Sequence, residues 1–197
     1  ASDMATDAQS ALGLTLDQTT EMVDKMAKAS SKSNTSVAQL GEAILTVGGT
    51  AKTLAGGTTE LSTALGILAD NGVKGAEGGT ALRNIILSLG APTDKAAASL
   101  KAMGVEVYDA EGKMRPLNET FGDLNAALGS MTQGEQTQVL NEIFNKTDLK
   151  SVNALLANTV SGLGDVGAAL ESSGVDWSKY KDKARASAEG MSQGLID

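Results

Sequence analysis

Val37-Ala38-Gln39-Leu40-Gly41-Glu42-Ala43-Ile44-Leu45-Thr46-Val47-Gly48-Gly49-Thr50-Ala51-Lys52-Thr53-Leu54 is the stretch whose spacing sets the fold class. Val37, Leu40, Ile44, Val47, Ala51 and Leu54 recur at intervals of 3, 4, 3, 4 and 3, which places them on one stripe of a helix. Gly48-Gly49 interrupts that stripe, and two glycines in a helix interior cost about 2 kcal/mol relative to two alanines. The helix therefore either kinks there or uses the missing side chains for close packing. At its start, Ser36 with Gln39 three residues on forms a capping box, able to satisfy two orphan amide donors. The same device, Thr15 with Gln18, precedes a weaker stripe of Leu16, Thr19, Val23, Met26 and Ser30.

Helical spacing continues downstream. Leu61, Leu65 and Leu68 form a third stripe, stopped by Asp70-Asn71-Gly72, where Asn or Gly tolerates the left-handed C-terminal conformation. Leu82, Ile85, Ile86 and Leu89 give a fourth helix closed by Gly90 and Pro92, and Thr93 caps a fifth carrying Ala97, Leu100 and Met103 before Gly104. Residues 105–116 change period. Val105-Glu106-Val107-Tyr108 alternates, Asp109-Ala110-Glu111-Gly112 supplies turn chemistry, and Lys113-Met114-Arg115-Pro116 completes what reads as one small β-hairpin.

Helices then resume with Leu117, Phe121, Leu124 and Leu128. Val139, Leu140, Ile143 and Phe144 follow behind a Thr132–Glu135 capping box, then Val152, Leu155 and Leu156, and then Leu163, Val166 and Leu170. Trp177, Tyr180, Ala184, Ala188, Met191 and Leu195 read as a terminal helix that runs on beyond the stretch. The expectation is a mainly α, compact multi-helix bundle of short amphipathic helices. Its parts are a helical portion over 1–104, the hairpin over 105–116, a second helical portion over 117–176 and the terminal helix over 177–197.

Composition limits the chemistry. The 197 residues include no His and no Cys, which removes the imidazole base, the thiolate nucleophile, disulfides and the usual zinc and haem ligands. With no thiols, the chain is indifferent to redox state. The net charge of −8 is spread along the chain, so no half forms a basic footprint for nucleic acid. A cluster of Lys179, Lys181, Lys183 and Arg185 is offset by Asp176 and Asp182 and reads as a solvated helix face. No run of 18 apolar residues exists to span a bilayer. The opening Ala1-Ser2-Asp3-Met4 has neither an initiating Met nor a signal-peptide pattern, and reads as part of a longer protein. Few aromatic residues (3%) mean an aliphatic core, with Met22, Met26, Met103, Met114, Met131 and Met191 mostly on or beside the apolar stripes as gap fillers.

Ala64-Leu65-Gly66-Ile67-Leu68-Ala69-Asp70-Asn71-Gly72-Val73-Lys74-Gly75-Ala76-Glu77-Gly78-Gly79-Thr80-Ala81-Leu82-Arg83 resembles the core region of phage tail tape-measure proteins. These are minor tail proteins of long-tailed phages and prophages. The resemblance extends upstream through Ser33-Asn34-Thr35-Ser36-Val37 and Gln39-Leu40-Gly41-Glu42-Ala43, and downstream through Tyr108–Leu117. It covers roughly Ala1 to Leu170, and the stretch from Glu171 departs from it. It implies a non-enzymatic structural protein without cofactors, of a family whose long helical chains occupy the lumen of the tail tube. Such chains set tube length during assembly in the host cytoplasm and leave at DNA ejection. The implied partners are the tail tube, tail-tip or tail-terminator proteins, tail-assembly chaperones and further copies of the chain. The family-motif residues Gly72, Gly75, Gly79, Thr80, Ala81, Leu82 and Arg83 are expected to be structural.

Other readings of the motifs are weaker. Gly72–Thr80 lacks the Gly-Lys-Ser/Thr and the preceding strand of a phosphate-binding loop. It reads instead as a tight connection in which Gly72 ends one helix and Gly78 and Gly79 let the next pack against it, with Arg83 pairing a nearby acid. Asp109–Gly112 misplaces the glycine of a calcium loop. Ser99 and Lys95 have the spacing of a Ser–Lys pair but also of an ordinary helix surface. No acid among Glu42, Glu60, Glu77, Glu119 and Glu135 stands out for glycoside hydrolysis. Two rival functions follow: a membrane-active module assisting DNA entry, since bundle helices can also lie on a bilayer, and a cell-wall hydrolase domain.

Overall fold

The computed structural model describes residues 2–145 and 149–159. Nine α-helices lie among them: α1 (Ser2–Leu12), α2 (Leu16–Lys32), α3 (Val37–Val47), α4 (Gly57–Asp70), α5 (Gly75–Gly90), α6 (Asp94–Ala102), α7 (Leu117–Leu128), α8 (Gln133–Ile143) and α9 (Leu149–Thr159). The expected Leu163–Leu170 stripe, the terminal helix over 177–197 and the basic cluster lie outside the described residues.

The local signals are realised in atomic detail. Thr15, Ser36 and Thr132 each cap a helix with both hydrogen bonds of the capping box in place. Thr93 Oγ1 accepts from Ala96 N–H at 3.2 Å to start α6. Gly48-Gly49 breaks the long stripe: α3 stops at Val47, Gly48 takes φ 57°, and Gly48–Thr53 continues as a 3-10 helix. A Cβ at either glycine would meet nothing within 4 Å, so neither serves close packing. α4 ends in a Schellman motif, with Gly72 N–H bonding Ala69 O and Val73 N–H bonding Leu68 O. The motif requires the φ of 84° that Gly72 adopts and that a Cβ would oppose.

α4 is the spine. Leu61 through Ala69 are all buried, because Ser62, Thr63, Ala64, Gly66 and Ala69 are small enough to let neighbours approach on every side. α2, α3, α5 and α9 pack around it, α1 covers α2 and α3, and the pairs α6–α8 and α7–α9 complete the bundle. One aliphatic core runs from Ala8 to Leu156. Phe121 stacks on Phe144 within it, at 5.9 Å between ring centroids.

Two expectations are corrected. Residues 105–116 do not form a β-hairpin; among the described residues there is no strand, only an isolated antiparallel bridge between Tyr108 and Met114. Asp109 competes with a ladder by accepting Glu111 N–H at 3.0 Å and Lys113 N–H at 2.7 Å through its carboxylate. Pro116 has no N–H to extend pairing. Val107 and Met114 turn into the helical core instead, and Tyr108 Oη donates to Gly90 O at 2.6 Å. The second correction concerns the glycine-rich connection. It is only the turn from Asn71 to Lys74, because α5 already begins at Gly75, and Gly78 and Gly79 belong to the helix.

Candidate functional site

Each motif residue has a defined place at the α4–α5 turn. Gly72 closes α4, and a Cβ there would lie 3.4 Å from Lys150 Nζ of α9, an ammonium at the negative end of the α4 dipole. Gly75 opens α5 with φ 56°, and a Cβ there would come within 2.6 Å of Glu42 Oε2 of α3. That carboxylate stands where the positive end of the α5 dipole favours it. Gly79 presses its bare backbone on α3: a Cβ would sit 2.4 Å from Ala43 O and 2.7 Å from Thr46 Cβ. Ala81 and Leu82 are buried in the core, while Thr80 and Arg83 face solvent. Arg83 makes no ion pair among the described residues, so its expected pairing with an acid is not found. Asp70, just before the turn, accepts Asn34 N–H at 2.6 Å and thereby also holds the α2–α3 link. The motif is thus a junction of α3, α4, α5 and α9.

Three charged side chains that sequence alone did not single out tie distant elements together. Glu60 of α4 accepts Gly56 N–H at 2.7 Å and, from 57 residues away, Leu117 N–H at 2.5 Å. It caps α7, whose own N-cap, Pro116, has no side-chain cap. Arg115 donates to Glu106 O and Asp123 at 2.8 Å and to Glu119 at 3.2 Å, which fastens the 105–116 turn to α7. The Asp123 hydrogen bond leads in raising its guanidinium pKa. Glu142 of α8 receives Lys95 at 2.9 Å and Ser99 at 3.0 Å from α6. Hydrogen bonds from Lys95, Gln138 and Ser99 hold its carboxyl below the usual range. Lys95 and Ser99, weighed above as a catalytic pair, therefore converge on a carboxylate as a structural tie. Glu119 and Glu135 are likewise engaged, in an ion pair and a helix cap.

Two open clefts flank Lys52–Ala55. One of about 370 Å³ is bounded by Leu12, Glu21, Lys25 and Leu61, and one of about 670 Å³ by Tyr108, Lys113, Arg115 and Glu119. No group of three or more carboxylates converges on a metal position among the described residues. The arrangement ties helices together through caps, dipoles and ion pairs.

Comparison with known proteins supplies the context for such a module. Residues 1–145 match the family model described as phage-related minor tail protein. The chain belongs to this phage-related minor tail protein family. It is similar to the tape measure protein of Pneumococcus phage Dp-1, with 32% identity over 74% of the chain and 13% of that relative. It is also similar to the probable tape measure protein of Escherichia phage P2, with 26% identity over 78% of the chain and 19% of that relative. The matched region of this minor tail protein therefore spans less than a fifth of either relative. No solved structure matches it. The resemblance read from the Ala64–Arg83 motif and its flanks is borne out at the level of the family.

Proposed function

We propose that this chain is a compact helical head of a tape measure protein, docking at one end of the tail, and that an extended remainder acts as the ruler. A ruler of continuous α-helix gains about 1.5 Å per residue, so the described residues as one helix would reach about 230 Å. Instead the longest helix among the described residues has 17 residues, and all nine described helices share one core. A domain of that size is about 40 Å across by the usual scaling of radius of gyration. This compactness is the observation that carries the reading.

The whole protein, on this proposal, sets tail length during assembly and leaves the tube at DNA ejection. Tail-tube, tail-end and chaperone proteins are its partners. The negative charge of −8 suits a guest that must not cling to the DNA behind it. Gly72, Gly75, Gly79, Thr80, Ala81, Leu82 and Arg83 serve as the junction that sets the head's shape, with Thr80 and Arg83 on its outer face.

In-frame removal of residues 2–159 from the tape measure gene of the phage, followed by electron microscopy of tails, tests the proposal. Tails of unchanged length, or no tails at all, are expected of a docking head. Tails shortened by about 240 Å, the length of those residues as a continuous helix, would overturn it.

A further inference from the structure

Exposure along α3 and α5 is as regular as burial. Ala38, Glu42, Leu45 and Gly49 are exposed at spacings of 4, 3 and 4 on α3 and the 3-10 turn after it, and Ala76, Thr80, Arg83 and Leu87 are exposed at the same spacings on α5. The two helices run side by side in one direction, since Gly75 meets Glu42 while Gly79 meets Ala43 and Thr46. Their helical phases turn both stripes outward on one face. Several of these residues have no task inside the bundle. Thr80 and Arg83 face solvent, whereas the other motif residues build the junction. Arg83 and Glu42 make no ion pair among the described residues. Gly49 has no positive φ, and a Cβ there would meet nothing within 4 Å, so the bundle itself does not require glycine at that position. Leu45 and Leu87, 38% and 45% exposed, are two of the four large apolar side chains that the described residues leave in water.

Turned end for end, one stripe fits the other. An α3 laid antiparallel on an α5 with Glu42 opposite Arg83 also sets Ala38 opposite Leu87, Leu45 opposite Thr80 and Gly49 opposite Ala76, because the spacings are the same. Acid meets base, each leucine meets a shorter side chain, and Gly49 lets Ala76 approach closely. We propose that this face binds a second copy of the chain across a two-fold axis, with α3 of each copy lying on α5 of the other. The axis forms every pair twice, so each dimer holds two Glu42–Arg83 ion pairs. Helix α5 is about 24 Å long and two packed helices are about 20 Å wide, so the face offers about 500 Å² per copy, the size of a transient contact. The dimer therefore forms at high local concentration, and its exposed ion pairs make it sensitive to salt. The contact joins folded copies and does not depend on the tail role proposed above.

Sedimentation velocity of the 197-residue chain, over a concentration series from micromolar to millimolar, tests the face. A monomer–dimer equilibrium that weakens with added salt is expected. Glu42→Arg and Arg83→Glu should each weaken the dimer at least about tenfold, because like charges then oppose one another at both symmetric sites. An equal mixture of these two variants should recover the dimer, since every opposed pair is again an acid and a base. Gly49→Leu, whose side chain has room in the monomer, should abolish the dimer by occupying the place of Ala76 of the second copy, and it keeps the test intact if a charge reversal unfolds the chain. A chain that stays monomeric at every concentration, or single reversals that leave the equilibrium unchanged, would overturn the proposal. So would a mixture that remains monomeric, or a Gly49→Leu chain that dimerises as the parent does.

Discussion

Replacing Gly79 by alanine puts one methyl group between two helix backbones. The new Cβ would lie 2.4 Å from Ala43 O, 3.0 Å from Ala43 C and 2.7 Å from Thr46 Cβ. Two of those three atoms are α3 main chain, which cannot rotate away as a side-chain tip would. Ordinary contact therefore requires α3 and α5 to separate by about 1 Å, and overpacking of this kind costs about 1–3 kcal/mol. The upper end applies, because the backbone must move. Alanine regains about 1 kcal/mol of helix propensity over glycine, leaving a net loss of about 2 kcal/mol. For a chain of this size that lowers the melting temperature by about 4–8 °C. Gly122 is the control: it lies inside α7, and a methyl group there would meet nothing within 4 Å, so Gly122→Ala should gain about 0.5–1 kcal/mol from propensity alone. Thermal melts followed by far-ultraviolet circular dichroism measure both. A Gly79→Ala chain that melts at or above the parent temperature would refute the close-approach argument.

The Glu142 tie predicts a pH dependence. Its carboxyl is held below the usual range by Lys95, Gln138 and Ser99, so its contribution is full above the unfolded carboxylate pKa and is lost as pH falls through the lower folded value. Denaturation series across the acidic range should show Glu142→Gln with a shallower loss of stability than the parent; identical slopes would remove the tie. Phe121 is fully buried against Phe144, so Phe121→Ala should cost about 3–5 kcal/mol, measured as a lower denaturant midpoint.

Much of the fold is legible in the sequence because its signals are local. A capping box spans three residues, so Thr15, Ser36 and Thr132 declare their helices without help from the rest of the chain, and Asn71-Gly72 declares a stop. Helix α1 stays hidden although Met4, Ala8 and Leu12 recur every four residues, because its polar remainder dilutes the stripe. Residues 105–116 mislead because alternation over Val105–Tyr108 says only that side chains point two ways. It does not say whether a neighbouring strand or a helical core receives them.

The sequence by itself determined the helical class, most helix starts and stops, and the family through the Ala64–Arg83 motif, all of which depend on residues close together in the chain. Tertiary structure alone decided which glycine is pressed against another backbone, which helix becomes the spine, and which acid caps a helix 57 residues away. These depend on distances in space. Side-chain spacing along a helix fixes which face is apolar, but not which of several similar aliphatic faces it will meet, so Gly79 against Ala43 and Glu60 against Leu117 emerge only when the helices are packed.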